Sequence, residues 1–335
     1  MHLLDSMSTL DPVSTAPRPR AEAPMIANDE PIQALPRWAR PQSADSGAAI
    51  FAAGAGLALF DALLRRPDGG EPVFAGCLRQ RLALKSAEAG ATLSRLREDA
   101  AAMRDAEHLS SGGETSPAGR LHRLFRLYAA LPARVDTAIL RVAGRLGLPE
   151  AIDASALAAA AATAPDPLMA AARASAAALK LCPHAADAEI FAFVVADLAL
   201  ASRLTWARPI PLLALAIAHP SLRRGAGGRR PRPLDDNWPA TIARGYALAV
   251  VDAHALAVDL ARRADRLLAV APMLRAKGAR RVVDMLLGDD GVTPAAAAAR
   301  TGMSDRAARR LFDRLVALDA VRELSGRDAF RIYGL

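Results

Sequence analysis

Arg306, Arg309, Arg310 and Arg314 recur at spacings of three and four residues, with Asp305 and Asp313 beside them. On a helix this spacing lines guanidinium groups along one face. A guanidinium is a planar fork of donors that holds a phosphate, or the O6/N7 edge of guanine, with two hydrogen bonds. The chemistry open to this cluster is therefore recognition of a polyanion, double-stranded DNA first. Ala307, Leu311, Leu315 and Leu318, also at helical spacing, form the expected buried stripe, flanked by Phe312 and Val316.

The elements that must position these arginines lie in Lys277–Leu335. A first helix carries Val282, Val283, Leu286 and Leu287 and ends at Gly288 and Gly291. Thr293 as N-cap with Pro294 behind it starts a second, Ala295 to Arg300, which stops at Gly302. Ser304 caps the third, to about Leu318. Val321 to Leu324 and Ala329 to Tyr333 then read as a hairpin around Ser325–Asp328. Helix–helix–helix–hairpin is the order of a winged helix-turn-helix, in which the last helix enters the major groove. Ser304, Arg306, Arg309, Arg310 and Arg314 would then meet DNA. Arg327 would reach it from the hairpin tip, supported by Arg322 or Arg331. The excess of charge is modest: eleven Lys/Arg against eight Asp/Glu over Lys277–Leu335.

A second cluster, His219-Pro220-Ser221-Leu222-Arg223-Arg224-Gly225-Ala226-Gly227-Gly228-Arg229-Arg230, combines arginines with glycines that bare backbone N–H groups, a possible anion-binding loop. It is similar to the Fic motif, His-Pro-Phe-x-Asp/Glu-Gly-Asn-Gly-Arg-x-x-Arg. That resemblance implies nucleotide chemistry with His219 as general base and Gly225, Gly227, Gly228 and Arg229 around phosphates. Arg223 stands where the motif has its metal-binding carboxylate, Ser221 replaces the aromatic, and there is no asparagine. The implied activity is at most that of a degenerate nucleotide-binding protein or pseudo-enzyme.

Composition sets the frame. The chain has 335 residues and a net charge of +8, with 52% hydrophobic and 4% aromatic residues. The basic balance suits an anionic partner, and the shortage of aromatics argues against a stacking platform for single strands or RNA. Cys77 and Cys182 are far apart, and neither a disulfide framework nor a metal site is expected from them. The first residues, with Asp5 and no basic run ahead of an apolar one, do not read as a secretory signal. The runs Gly47–Phe60 and Ile210–Ala218 read as buried helices too short to span a bilayer, so the expectation is a cytoplasmic protein that does not touch membrane.

Residues 1–44 are proline-rich and read as a disordered arm, with Met7 as competent a start as Met1. Residues 45–272 read as an all-α body and 273–335 as the winged-helix unit. Helices are expected at Ser46–Leu64, Val73–Met103, Leu121–Ala130, Val135–Leu146 and Trp238–Val270, with Pro165, Pro167 and Pro183 dividing the alanine-rich middle. Arg79, Arg81, Lys85, Arg95, Arg97 and Arg104 interleave with Glu88, Glu98, Asp99 and Asp105 and read as a salt-bridge-laced solvated face. Asp197, inside the apolar run Ile190–Leu200, reads as a buried, hydrogen-bonded carboxylate.

The pattern Arg79-Gln80-Arg81-Leu82-Ala83-Leu84-Lys85, with Arg97-Glu98-Asp99, Arg104-Asp105-Ala106 and Pro209-Ile210-Pro211-Leu212, resembles a family of uncharacterised proteins. These come mainly from Rhizobium- and Agrobacterium-type α-proteobacteria and are known as a domain of unknown function, with the likeness running from about Phe51 to the end. The resemblance implies a bacterial cytosolic protein and brings no catalytic residue. Taken together, the sequence predicts a non-enzymatic DNA-binding regulatory or plasmid-maintenance protein, without cofactor, whose body forms a homodimer or receives a signal. The alternatives are the Fic-type reading and a protein–protein adaptor.

Overall fold

In a computed structural model of the chain the described residues are 33–43, 45–109, 116–148, 152–183, 187–223, 228–327 and 329–335. Most of the expected N-terminal arm, with Met1 and Met7, lies outside them, as do Arg224, Gly225, Ala226 and Gly227 of the glycine loop.

The described residues are mostly helical, with thirteen α-helices and one two-stranded sheet. The body begins with α1 (Ser46–Leu64), started by Asp45, whose side chain accepts from the Ala48 N–H at 2.8 Å. Its partner is α10 (Trp238–Val270), the longest helix at 33 residues. The two approach closely at Gly56, where a Cβ would stand 2.8 Å from Val250 Cγ1.

The expected helix Val73–Met103 is in fact two, α2 (Ala75–Leu93) and α3 (Ala100–His108). Arg95, at φ +58°, turns the chain between them, and Asp99 restarts it by accepting from Ala102 N–H at 2.8 Å. Next come α4 (Pro117–Ala130), α5 (Val135–Arg145), α6 (Ala154–Ala162) and α7 (Pro167–Leu181). Asp153 and Asp166 cap α6 and α7. The centre is α8 (Ala188–Arg203), buried continuously from Ile190 to Ala201 and laid along α7, whose small residues Ala171, Ala174 and Ala178 let it approach. A short α9 (Leu213–Ile217) follows.

Asp197 is 1% exposed on α8 and bears out the buried-carboxylate reading. It accepts from the Tyr128 hydroxyl on α4 (3.1 Å), the Tyr246 hydroxyl on α10 (3.0 Å), and the N–H groups of Leu212 (3.0 Å) and Leu213 (3.1 Å) ahead of α9. One carboxylate thus ties four helices. Burial pushes its carboxyl up to about 7, against the downward pull of its four donors.

The tail comprises α11 (Ala279–Gly288), α12 (Pro294–Thr301), α13 (Asp305–Ala317), β1 (Arg322–Glu323) and β2 (Tyr333–Gly334). The caps act as the sequence predicts. Thr293 Oγ1 accepts from Ala296 N–H at 3.1 Å, Gly302 closes α12 at φ +71°, and Ser304 Oγ accepts from Ala307 N–H at 3.3 Å. The strands are shorter than expected. Arg322 pairs with Gly334 and Glu323 with Tyr333, while Val292, between α11 and α12, bridges Tyr333 from the other side.

On α13 the buried stripe is Ala308, Leu311, Phe312 and Leu315, one position round from the expected Ala307–Leu318 line; Val316 is exposed. Phe312 decides this rotation, because its ring stacks on Tyr333 of β2 with centroids 4.6 Å apart.

The hydrophobic core runs without a break from body to tail, joining Leu78, Phe125 and Val250 to Leu286, Phe312 and Tyr333. At the seam α2 touches α11 through two glycines: a Cβ on Gly76 would lie 2.8 Å from the Gly288 Cα. By length and composition α1 and the stretch Trp238–Met273 are apolar enough to cross a membrane, which the shorter window Gly47–Phe60 did not predict. Within this fold their most apolar windows are 39% and 61% buried against other helices.

Candidate nucleic-acid interface and the ion-pair network behind it

Burial of Ala308, Leu311, Phe312 and Leu315 turns the opposite side of α13 outward, and Arg306, Arg309, Arg310 and Arg314 are all exposed there. None of the four forms an ion pair with a described residue, although Asp305 and Asp313 lie on the same helix. Ser304 is the N-cap of α13: its Oγ accepts from Ala307 N–H, and the exposed hydroxyl can still donate. The face offers guanidinium groups with their donors directed to solvent, which can neutralise phosphates or read base edges.

Arg327 is placed differently from the other predicted contacts. It is paired with Asp105 of α3, and its carbonyl accepts from Arg331 Nε at 3.1 Å. Arg322, expected to support it, reaches instead toward the Leu335 carbonyl at 3.3 Å. Near the hairpin tip Phe330 stands 77% exposed with φ +56°, a left-handed conformation unusual for an aromatic residue.

Behind the tail lies a network that the sequence reading missed. The turn Gly288-Asp289-Asp290-Gly291 follows α11 and presses into the body. A Cβ on Gly291 would stand 2.7 Å from Ile332 Cγ2 and 3.3 Å from His108 Nε2, so only glycine allows this approach. Asp290 has no exposed surface and meets Arg104 Nε (3.2 Å) and His108 Nε2 (3.3 Å) from α3, and Arg126 Nη1 (2.9 Å) from α4. Asp289 takes the fork of Arg126 with two bonds of 2.9 Å. Arg81 Nη2 of α2 donates to the Asp290 carbonyl at 3.3 Å.

Burial by itself pushes the Asp290 carboxyl up. The hydrogen bond and charge of His108, followed by the charges of Arg126 and His122, outweigh this and hold it well below the usual carboxylate range. His122, wholly buried on α4, donates from Nδ1 to the Met103 carbonyl at 3.2 Å, and burial lowers its ring to about 4. Its Nε2 has no partner among the described residues. Of the basic residues expected on a solvated face, Lys85, Arg95 and Arg97 are exposed, whereas Arg79, Arg81 and Arg104 turn inward. Arg79 is 4% exposed and pairs with Glu71.

The ligating atoms of His108, Asp289 and Asp290 lie within 4.8 Å of one another, a spacing compatible with a cation. Arg126 Nη1 already stands 2.9 Å from both carboxylates, with Arg104 on the second. The arrangement is an internal salt-bridge cluster, and its role is to fix the tail on α2, α3 and α4.

In the glycine loop, His219 Nδ1 accepts from the Ser221 N–H two residues on, at 3.2 Å, and Arg223 is exposed. Gly228 has φ +58°. Arg229 pairs with Asp235 at 3.0 Å, and Arg230 and Arg232 with Glu189. An anion at Arg229 or Arg230 would have to displace the carboxylates that already hold them, whereas Arg223 pairs with no described carboxylate.

These elements define an all-helical body with a small three-helix tail locked into it by buried ion pairs. The chain belongs to the DUF1403 family, described as a protein of unknown function, and the match covers residues 23–335, starting upstream of Phe51. No curated protein and no solved structure matches the chain.

Proposed function

We propose that this protein binds double-stranded DNA through α13, with the tail acting as a winged helix-turn-helix, and serves as a non-enzymatic regulatory or plasmid-maintenance protein in the bacterial cytoplasm. The observation that carries the reading is the set of four exposed arginines on α13, which lack carboxylate partners among the described residues, in contrast to Arg229 and Arg230 of the glycine loop. The order of elements supports it as well. A helix, the Val292 bridge, two helices and a hairpin closing on that bridge follow the plan of a winged helix.

The test is fluorescence anisotropy with random duplex DNA over a salt series. Each phosphate contact contributes about one unit of slope in log K against log salt, so Arg309→Ala/Arg310→Ala should lower the slope by about two. Wild-type protein that fails to bind at low salt would sink the proposal.

The pairing of Arg327 with Asp105 gives a second expectation. Asp105→Asn frees the hairpin arginine, so DNA affinity at low salt should rise and the slope steepen by about one. Unchanged affinity and slope would mean that Arg327 does not reach the duplex.

A further inference from the structure

We propose that the outward face of α1 binds a second copy of this chain, the two α1 helices packing antiparallel about Gly54. From Gly47 to Phe60 the helix carries no polar side chain, so the side turned away from α10 is apolar as well as the buried one. Gly47, Ile50, Phe51, Gly54, Ala58 and Ala62 line that outward side over about four turns. Ile50 is 54% and Phe51 60% exposed, and Trp38, 59% exposed, stands against Phe51 with ring centroids 6.3 Å apart. A continuous apolar surface of this kind marks a contact with another molecule.

Gly54 points to a closely packed partner. Gly56 is explained within one copy, by Val250 of α10, whereas a Cβ on Gly54 would meet nothing within 4 Å. Glycine weakens a helix interior, and nothing within one copy requires it here; a second helix lying close against this face does. The face is also self-complementary. Its large side chains, Ile50 and Phe51, lie on the N-terminal side of Gly54, and its small ones, Ala58 and Ala62, on the C-terminal side. A two-fold axis at Gly54 sets Ile50 and Phe51 of each copy at the level of Ala58 of the other. The end charges agree with this. Asp45 before α1 and Arg65 after it are both exposed, and the antiparallel pair brings them to neighbouring levels, whereas a parallel pair would stack like on like. Opposite charges at the two ends suit a reversed copy and not a uniformly anionic lipid surface.

The experiment is sedimentation equilibrium of the full chain without DNA, so its outcome is independent of the DNA-binding reading. The wild type should show twice the chain's mass of 35.1 kDa at micromolar concentration. Gly54→Arg, whose Cβ has open space within its own copy, should raise the dissociation constant at least tenfold at unchanged helical content. Cys77 and Cys182 are buried, so added thiols can report the register. Phe51→Cys mixed with Ala58→Cys should form an intermolecular disulfide under mild oxidation, and neither variant should do so alone. The proposal is overturned if the wild type is monomeric, including a monomer that floats with phosphatidylglycerol vesicles, which would make lipid the occupant. It is overturned equally by a dimer that Gly54→Arg leaves intact, or by Phe51→Cys cross-linking with itself.

Discussion

Asp290→Ala should destabilise the protein by about 3–5 kcal/mol, the usual cost of removing one partner from a buried ion pair. Asp290 is the only described carboxylate that pairs with Arg104, whose side chain is 14% exposed, so the substitution leaves a nearly buried guanidinium without a counter-charge. Arg126 keeps Asp289 and Glu107, which limits the loss on that side. At this chain length the change corresponds to a fall in Tm on the order of 10 °C. Calorimetry or thermal circular dichroism would read it directly, and a fall of less than about 1 kcal/mol would show that the network does not hold the tail.

The same carboxylate sets an acid limb. Its folded-state pKa lies below its unfolded value of about 3.9, so the stability it contributes is complete above that value. This stability is lost as pH falls toward the folded value. Asp290→Asn should therefore flatten the decline in Tm below about pH 4, at the price of lower stability near neutrality.

The sequence made the elements legible where the signal was local. Thr293-Pro294, Gly302 and Ser304 mark helix ends by their own backbone chemistry, and α12 and α13 start and stop at them. The bounds of α1 and α10 follow from long apolar periodicity broken at Arg65–Gly70 and Asn237. The rotation of α13 was not legible. Ala307 and Ala308 serve an alanine-sized contact equally well, and the choice is made by Phe312 stacking on Tyr333, a residue from the far side of the hairpin.

The Asp289–Asp290 network was hidden for a similar reason. Arg126 and Asp289 are 163 positions apart, and within its own helix each arginine of the network looks like one more solvated charge. Only the glycines offered a trace, because Gly288 and Gly291 bracket the acids and allow the chain into the body. The free arginine face of α13 is the opposite case. Its members lie within nine residues of one another, so local spacing alone located them.

Asp197 gives the second large effect, and its pH signature has the opposite sign. Asp197→Leu would orphan two backbone N–H groups and two tyrosine hydroxyls in the core, each worth about 1–3 kcal/mol when left unsatisfied. Asp197→Asn is milder but not neutral. Oδ1 accepts from Leu213 N–H and Oδ2 from Leu212 N–H, so either orientation of the amide turns its NH₂ toward a backbone donor. Tyr128 and Tyr246 can rotate their hydroxyls to accept, whereas a backbone N–H cannot, which puts the cost at roughly 1–3 kcal/mol.

The wild-type carboxyl is raised to about 7 by burial. Between its unfolded pKa of about 3.9 and that value, the native state holds the proton that the unfolded chain releases. This group's contribution is therefore greatest at acid pH and declines as pH rises toward 7. The deficit of Asp197→Asn relative to wild type should accordingly be larger at pH 5 than at pH 8. A deficit that instead grows with pH would mean that the four donors, and not burial, control the titration of Asp197.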